Sequence, residues 1–355
     1  MARAARDAGF DVHVATRVVD GGEAIRSERF TLHPFMFARG SISPQAILRA
    51  VIDLRSLYRR IAPSIVHNVA VQASILGSLA ALGTKLKLVN ALTGLGYLFT
   101  SSNKKAIALR SLAAMLLRLG CNRGQQIALV QNEDDRTALL SLGILPQRIV
   151  MIPGSGVDVE RLRTQQEPYG PVTVGFVGRL LEDKGIHTLL AAHRQLRATG
   201  ANIELLIAGT PDPSNPTSVS QQEASSWNDE AGITWVGYCD DMTTFWSRAH
   251  IAVLPSRREG LPKSLLEAAA CQKPMISTDV PGCREIVRPN ETGLLVSPDD
   301  PSALATAIAT LADSHTLRAR YGLAARKHVV ENFSNEIIGG MITELYCNLL
   351  NRKAV

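Results

Sequence analysis

Hydrophobic and polar residues alternate in two successive runs of short segments, separated by a polar stretch with two prolines at residues 165–171. Short apolar runs predict strands, and apolar residues recurring every three or four positions predict helices. In the first run, the predicted strands are 10–16, 65–66, 86–91, 126–131 and 149–152, and the predicted helices are 2–8, 44–61, 71–82 and 104–119. In the second run, the predicted strands are 172–177, 203–207, 234–236, 251–254, 275–277 and 293–296, and the predicted helices are 185–199, 242–249, 264–271 and one from residue 301.

Strands that alternate with helices predict an α/β fold with parallel sheets, here two Rossmann-like, doubly wound domains facing a cleft. The length of 355 residues also fits two domains. We expect an N-terminal domain over residues 1–166, with 336–355 packing back on it, and a C-terminal domain over residues 167–335. Ligands of such domains bind beyond the carboxyl ends of the strands.

The net charge of +6 is unevenly divided. Residues 1–165 carry 21 Lys and Arg against 11 Asp and Glu, whereas residues 166–355 carry 17 against 21. The basic half suggests an anionic partner, such as a membrane surface or a phosphate ligand, and an ordinary solvated surface is the alternative. An aromatic content of 5% and the lack of finger or helix-turn-helix spacing argue against nucleic acid.

The cysteine pattern and the apolar pattern suggest a cytoplasmic location. Five widely spaced cysteines without a CxxC pair predict neither a disulfide framework nor a zinc site. The first residues lack the apolar core of a signal peptide. The longest apolar stretch, residues 65–82, is interrupted by His67, Asn68 and Gln72, which argues against a membrane-spanning helix.

Two segments of the second half carry candidate chemistry. Gly178, Arg179 and Lys184 follow a predicted strand and precede a helix. Two cations and a helix N-terminus suit a diphosphate, although a surface loop with incidental basic residues is the alternative. Glu259 and Glu267 follow the strand at 251–254 and are separated by a turn with Gly260 and Pro262.

The turn places Glu259 on a loop and Glu267 about one turn into a helix. Carboxylates in a pocket that otherwise suits phosphate can accept hydrogen bonds from the hydroxyls of a sugar or a ribose. The alternative is one helix-capping and one solvated glutamate. The agreement of the two segments favours a site for a sugar nucleotide.

The chain resembles the retaining glycosyltransferases of family 4, which have the GT-B fold. The resemblance is carried by GRLLEDKG (178–185), AG (208–209), VGY (236–238), EGLPKSLLEAAACQKPMISTDVPGCREIV (259–287) and NETGLLV (290–296). It implies that Glu259 contacts the donor sugar, that Glu267 contacts the ribose, and that Arg179 and Lys184 hold the diphosphate. It further implies donor contacts near Gly178, Gly209, Thr210, Gly237, Tyr238, Gly260, Leu261 and Pro262.

The first half resembles a subgroup of enzymes that assemble bacterial polysaccharides and lipid-linked glycans. The matching segments are VNALTGLGYLFTS (89–101), QNEDD (131–135) and IPGSGVDVERL (152–162). This resemblance implies transfer from a UDP-sugar, with retention of configuration, to a glycan or to an undecaprenyl-pyrophosphate-linked acceptor at the inner face of the membrane. The acceptor-side candidates are Thr93, Gly94 and His67, and for His67 a structural role is the stronger alternative.

The resemblance implies that neither a metal nor another cofactor is needed. It also implies that the family's first strand and Gly-rich loop are missing from this chain, so we expect the chain as it stands to be weakly active or inactive. An inactive or truncated sugar-nucleotide-binding module and a UDP-sugar epimerase of similar fold remain alternatives. The helix at 104–119 combines basic and apolar residues, so it either lies on anionic lipid or simply buries one face.

Overall fold

The computed structural model describes residues 1–18, 21–36, 43–93, 104–163 and 166–351, and for residues 104–110 it describes the backbone only. The chain divides into two units, Met1–Gly156 with Glu336–Val355, and Val157–Asn335. The boundary lies ten residues before the predicted one. The reason is that Val157 N donates to Phe333 O at 2.9 Å and Asn335 N donates to Val157 O at 2.9 Å, which ties residue 157 to the second unit.

Unit 1 contains parallel strands with helices beside them. Strand β1 pairs with β2, and β3, β4, β5 and β6 form a four-stranded sheet in that order. The strands are β1 (His13–Thr16), β2 (Thr31–Pro34), β3 (Ile65–Val69), β4 (Lys87–Ala91), β5 (Gln126–Val130) and β6 (Ile149–Met151). The helices are α1 (Ala2–Asp7), α2 (Gly22–Ser27), α3 (Pro44–Ile61), α4 (Val71–Ala80), α5 (Lys104–Cys121), α6 (Glu133–Ser141) and, after unit 2, α14 (Asn335–Leu350).

The central strands of unit 1 are apolar on both faces because helices cover the sheet. In β4, Leu88 and Val89 are fully buried although their side chains point to opposite faces. Helix α14 belongs to this core, since Ile338 and Ile342 pack in one cluster with Val89. The C-terminal segment is therefore part of the N-terminal unit.

Several elements of unit 1 differ from the sequence predictions. The third strand runs to Val69, so His67 and Asn68 lie inside it rather than after it, because both pair in register with β4. The sequence pattern predicts no element between residues 17 and 43, but this segment contains α2 and β2. Both elements are at most six residues long, so neither presents a periodic apolar pattern.

Unit 2 has a six-stranded parallel sheet in the order β12-β11-β10-β7-β8-β9. The helix predicted from residue 301 is two helices, because Ser314 starts a second one by accepting a hydrogen bond from Leu317 N. The strands are β7 (Val172–Val177), β8 (Ile203–Ala208), β9 (Ile233–Trp235), β10 (Ile251–Leu254), β11 (Met275–Thr278) and β12 (Gly293–Val296). The helices are α7 (Ile186–Ala198), α8 (Gln221–Ser226), α9 (Met242–Ser247), α10 (Lys263–Ala270), α11 (Cys283–Ile286), α12 (Pro301–Ala312) and α13 (His315–Phe333).

The strand order of unit 2 reverses between β7 and β10. The chain proceeds from β7 through β8 to β9 on one side, and then returns to β10 and continues outward to β12 on the other. Loops that leave neighbouring strands in opposite directions open a crevice at such a switch point. The two segments with candidate chemistry leave β7 and β10, so both start at this crevice. Among the described helices of the chain, none is long and apolar enough to cross a bilayer.

Candidate active site

Glycines allow the loops at the carboxyl edge of the unit 2 sheet to touch. At Gly209, φ is +142°, and an added Cβ would collide with the carbonyl oxygen of Gly178. At Gly185, φ is +72°, and an added Cβ would collide with the carbonyl oxygen of Pro255. A side chain at either position would therefore force neighbouring loops apart. The glycines bring the loop after β7 against the loops after β8 and β10.

The predicted residues Lys184 and Glu259 meet in this crevice. Lys184 Nζ lies 2.5 Å from Glu259 Oε1, and only 9% of the Glu259 side chain is exposed. Ser256 Oγ donates to the same carboxylate oxygen at 2.8 Å. The carbonyl of Ser256 accepts from Thr278 Oγ1, and Ser256 and Thr278 are both fully buried. Glu259 is thus held by the Lys184 cation and by the hydroxyl of Ser256, and the main chain of Ser256 is bound by Thr278 of β11.

Arg179 also has a carboxylate partner. Its Nη1 lies 3.0 Å from Asp212 Oδ2, and about half of the Arg179 side chain is exposed. Ser214 Oγ donates to Asp212 Oδ1 at 2.6 Å. That hydrogen bond, and then the bond from Arg179, lower the pKa of Asp212. Both cations proposed for a diphosphate are therefore paired with the protein's own carboxylates.

Glu267 lies on α10, four residues after the first residue of the helix. Its side chain is 12% exposed, and Lys263 Nζ lies 3.2 Å from its Oε1. Burial raises the pKa of Glu267, and the nearby Lys263 partly opposes this shift. As predicted, Glu259 precedes the helix and Glu267 lies within its first turns. Gly260 and Leu261 lie between them, and Pro262 is the N-cap residue.

The remaining donor-side candidates lie along the edge formed by β7, β8 and β9. Gly209 N donates to Gly237 O at 2.7 Å, and Leu180 N donates to Thr210 O at 3.1 Å. Tyr238 follows Gly237, and its side chain is largely exposed. The loops that carry Gly178, Gly209 and Gly237 are therefore neighbours, whereas the Tyr238 ring faces outward.

The acceptor-side candidates in unit 1 are placed differently. Thr93 lies two residues beyond β4 and is half-buried, and Gly94 lies outside the described residues. His67 Nδ1 lies 2.5 Å from the Tyr346 hydroxyl, and burial lowers the pKa of His67 to about 4. Its Nε2 is buried and has no hydrogen-bond partner among the described residues. His67 thus joins β3 to α14, which is the structural role considered for it.

Sequence reasoning missed several residues that shape the crevice. Ser256 and Thr278 orient Glu259, Asp212 holds Arg179, and Asp183 binds Arg258 through a contact of 2.6 Å. The signal for Ser256 and Thr278 was their place at or just after the end of a strand. In the part of the chain that the structure describes, no group of three or more His, Cys, Asp or Glu is arranged to hold a metal ion.

Two family models match the chain in succession. Residues 1–132 match the model described as glycosyl transferase 4-like, and residues 171–314 match the model described as glycosyl transferases group 1. The matches support a GT-B-type glycosyltransferase. They divide the chain as its two units do, with one model in each unit.

Relatives and solved structures agree with these matches. The chain is 24% identical to the capsular polysaccharide biosynthesis glycosyltransferase CapM of Staphylococcus aureus, over 97% of this chain and 92% of CapM. It is also 24% identical to the N,N'-diacetylbacillosaminyl-diphospho-undecaprenol alpha-1,3-N-acetylgalactosaminyltransferase of Campylobacter jejuni subsp. jejuni serotype O:2, over 88% of this chain and 84% of that enzyme.

Solved structures establish the fold as GT-B. Sucrose-phosphate synthase from Thermosynechococcus elongatus aligns with a TM-score of 0.83 at 23% identity, over 99% of this chain and 92% of that one. HepE from Anabaena in complex with UDP-glucose aligns with a TM-score of 0.79 at 17% identity, over 98% of this chain and 94% of that one. The prediction of two Rossmann-like domains is confirmed.

Proposed function

We propose that unit 2 binds a nucleotide sugar, with UDP as the nucleotide, and that the protein transfers the sugar with retention of configuration. The observation that carries this proposal is the pair of Lys184 and Glu259 at the switch point, flanked by Arg179 and Glu267. Cations for a diphosphate and carboxylates for hydroxyls then lie on adjoining loops. The solved complex of HepE with UDP-glucose, which shares the fold, supports the choice of nucleotide.

Binding of the donor exchanges partners within the crevice. In the free protein, Lys184 is neutralised by Glu259, and Arg179 is neutralised by Asp212. The diphosphate replaces Glu259 and Asp212 as the ion-pair partner of Lys184 and Arg179. Glu259 then accepts a hydrogen bond from a hydroxyl of the donor sugar. Glu267 accepts from the ribose. The two cations already lie at the crevice in the free protein, so donor binding does not have to bring them together.

The cations that bind the diphosphate also stabilise charge during the transfer step. The bond between the anomeric carbon and the diphosphate oxygen breaks, and Lys184 and Arg179 stabilise the negative charge that grows on the departing phosphate. The acceptor hydroxyl attacks from the face that the phosphate leaves, and its proton passes to a phosphate oxygen. The new glycosidic bond therefore has the configuration of the old one. This chemistry assigns the charge-stabilising role to side chains, so we propose that the reaction needs no metal.

We propose a glycan or a polyprenyl-pyrophosphate-linked saccharide as the acceptor. The names of the relatives from Staphylococcus and Campylobacter support this class. Peripheral contact with an anionic membrane is supported by α5. This helix buries Ala113 and Leu117 but leaves Leu112, Met115 and Leu119 exposed on its other side, a set named here the α5 stripe. An apolar stripe on the basic half of the chain suits an anionic lipid surface.

A screen of UDP-sugars against synthetic polyprenyl-pyrophosphate saccharides tests the proposed function. We expect one UDP-sugar to bind in calorimetry, UDP to be released only when a suitable acceptor is present, and NMR of the product to show the donor's anomeric configuration. Activity should persist in EDTA. Release of an isomerised UDP-sugar without acceptor would show an epimerase instead, and failure of UDP and every UDP-sugar to bind would overturn the proposal.

A further inference from the structure

A second ion pair joins the two loops that carry Lys184 and Glu259. Arg258 Nη2 donates to Asp183 Oδ2 at 2.6 Å. Each member of this pair directly precedes a member of the candidate catalytic pair, Asp183 before Lys184 and Arg258 before Glu259. The loops after β7 and β10 are thus linked twice, at adjacent positions.

The backbone of Asp183 strengthens this link. Its carbonyl oxygen accepts from Arg257 N at 2.9 Å, so Asp183 contacts the second loop with both its main chain and its side chain. About one third of the Asp183 and Arg258 side chains is exposed, so solvent screens this pair less than a fully exposed one. Asp183 lies in the short 3₁₀ helix Glu182–Lys184, which ends at Gly185 in the left-handed conformation. A shift of Asp183 would therefore move Lys184.

The two links behave differently when a donor binds, if the proposed function holds. The diphosphate draws Lys184 away from Glu259, and the direct link between the loops opens. The pair of Asp183 and Arg258 involves neither of these side chains, so it remains. We propose that Asp183 and Arg258 are positioning residues that keep Lys184 in register with Glu259, so that the diphosphate and the sugar of one donor are held together.

This role predicts an unequal effect on two ligands. UDP carries the diphosphate and the ribose but lacks the sugar that Glu259 binds, whereas a UDP-sugar needs Lys184 and Glu259 at a fixed separation. For Asp183→Asn, which keeps the main-chain bond to Arg257, we expect the Kd of UDP to rise by no more than about threefold and the Kd of the UDP-sugar that binds wild type best to rise about tenfold, because hydrogen bonds between charged groups have effects of that order. Calorimetry measures both constants.

The second partner gives a test of pairing. Arg258→Gln should reproduce the effect of Asp183→Asn, and Arg258→Lys should recover part of it because the charge is kept. In the double variant Asp183→Asn/Arg258→Gln, the Kd of the UDP-sugar should rise little further than in either single variant, since the two substitutions remove the same interaction. The matched control is Asp299→Asn. It removes the charge of Asp299, which lies 2.8 Å from Arg257 on the loop that also carries Arg258, and both Kd values should stay within about twofold of wild type.

Three results would overturn the inference. These are a Kd for the UDP-sugar that Asp183→Asn leaves unchanged, equal losses for UDP and the UDP-sugar, or additive losses in the double variant. Each of them leaves the proposed function standing, because wild type still binds the donor. If wild type binds neither UDP nor any UDP-sugar, the proposed function fails, and the positioning role fails with it.

Discussion

Unit 1 and unit 2 use buried polar side chains for different purposes. In unit 2, Glu259 is buried at the end of the sheet and bound by Lys184 from another loop. In unit 1, the buried residues Asn68, Ser78, Asn90 and Gln126 lie within the sheet or a helix that covers it and bind one another. Asn68 Nδ2 donates to Asn90 Oδ1 at 2.9 Å, and Ser78 Oγ donates to Gln126 Oε1 at 3.0 Å.

The difference shows what distinguishes a reactive polar group from a structural one. Asn90 also donates to Ser78 and Gln126, so the four buried side chains of this network bind one another. Such a network satisfies its members and specifies one packing arrangement. The ions of the unit 2 crevice lie on loops, where a ligand can replace one partner by another. Residue type alone does not separate the two cases.

The largest effect that this comparison predicts is at Lys184. Lys184→Met removes the cation that we propose stabilises the leaving phosphate, and it leaves the carboxylate of Glu259 without its ion-pair partner. We expect the transfer rate to fall by about 10²- to 10³-fold, which is the size of losing one preorganised charge-stabilising group. Steady-state kinetics with the preferred UDP-sugar and acceptor measure this loss.

Two controls accompany this variant. Lys263→Met removes a cation that contacts Glu267 rather than Glu259. We expect it to lower the transfer rate much less than Lys184→Met does. Circular dichroism checks that both variants fold. If the transfer rate of Lys184→Met lies within about threefold of wild type, the distinction between a reactive crevice and a structural core fails. Such a small change is typical of a surface ion pair.

The second prediction concerns acid and the structural histidine of unit 1. Burial lowers the pKa of His67 to about 4 from an ordinary value of 6.5. The unfolded chain binds a proton at His67 below pH 6.5 while the folded chain does not, so stability is present above that pH and is lost as the pH falls toward 4. The full loss is about 3 kcal/mol for unit 1, since one pKa unit corresponds to about 1.4 kcal/mol.

Hydrogen exchange at pH 7 and pH 5 measures this loss. Peptides from β3 and α14 should lose protection at pH 5 in wild type and lose less in His67→Gln, which cannot take up the proton. The three tryptophans, Trp227, Trp235 and Trp246, all lie in unit 2, so their fluorescence serves as a control for the other unit. The transfer rate of His67→Gln at pH 7.5 should differ from wild type by less than about threefold, because we assign His67 no role in the reaction. A loss as large as that of Lys184→Met would make His67 a functional residue.

Much of the fold could be predicted because it follows from local patterns. Apolar runs such as 251–254 became buried strands, and Gly260 with Pro262 correctly separated Glu259 on the loop from Glu267 on α10. Short elements without a periodic pattern, such as α2 and β2, could not be found in this way. The predicted end of β3 was wrong for a related reason. Polar His67 and Asn68 read as a loop, whereas pairing with β4 and contacts from α14 bury them.

The partners of the site residues could not be predicted, because they depend on tertiary distance. Glu259 is 75 positions from Lys184, and Asp212 is 33 positions from Arg179. The contact of His67 with Tyr346 spans 279 positions. The sequence indicated which residue types would collect at the carboxyl edge of a sheet. It did not indicate that each cation there would already hold a carboxylate, or that Ser256 and Thr278 would fix the orientation of Glu259.

The smallest predicted effect concerns the surface of unit 1. The exposed fractions of Leu112, Met115 and Leu119 are 49%, 51% and 43%, and Arg118 and Arg123 are exposed beside them. If this face contacts lipid, Leu112→Gln/Met115→Gln/Leu119→Gln should weaken binding to vesicles that contain anionic phosphatidylglycerol by about tenfold, because three partly inserted apolar side chains are lost. Cosedimentation measures the binding, and added salt should weaken it further by screening the arginines.

The matched control is Leu323→Gln/Val330→Gln, which changes two exposed apolar residues of α13 in unit 2. It should bind vesicles like wild type, and neither variant should change the affinity for UDP, since the proposed donor site is the crevice of unit 2. Equal binding of the triple variant and wild type, or an equal loss in the control, would contradict a lipid role for the α5 stripe. That result would make Leu112, Met115 and Leu119 an ordinary exposed apolar surface of unit 1.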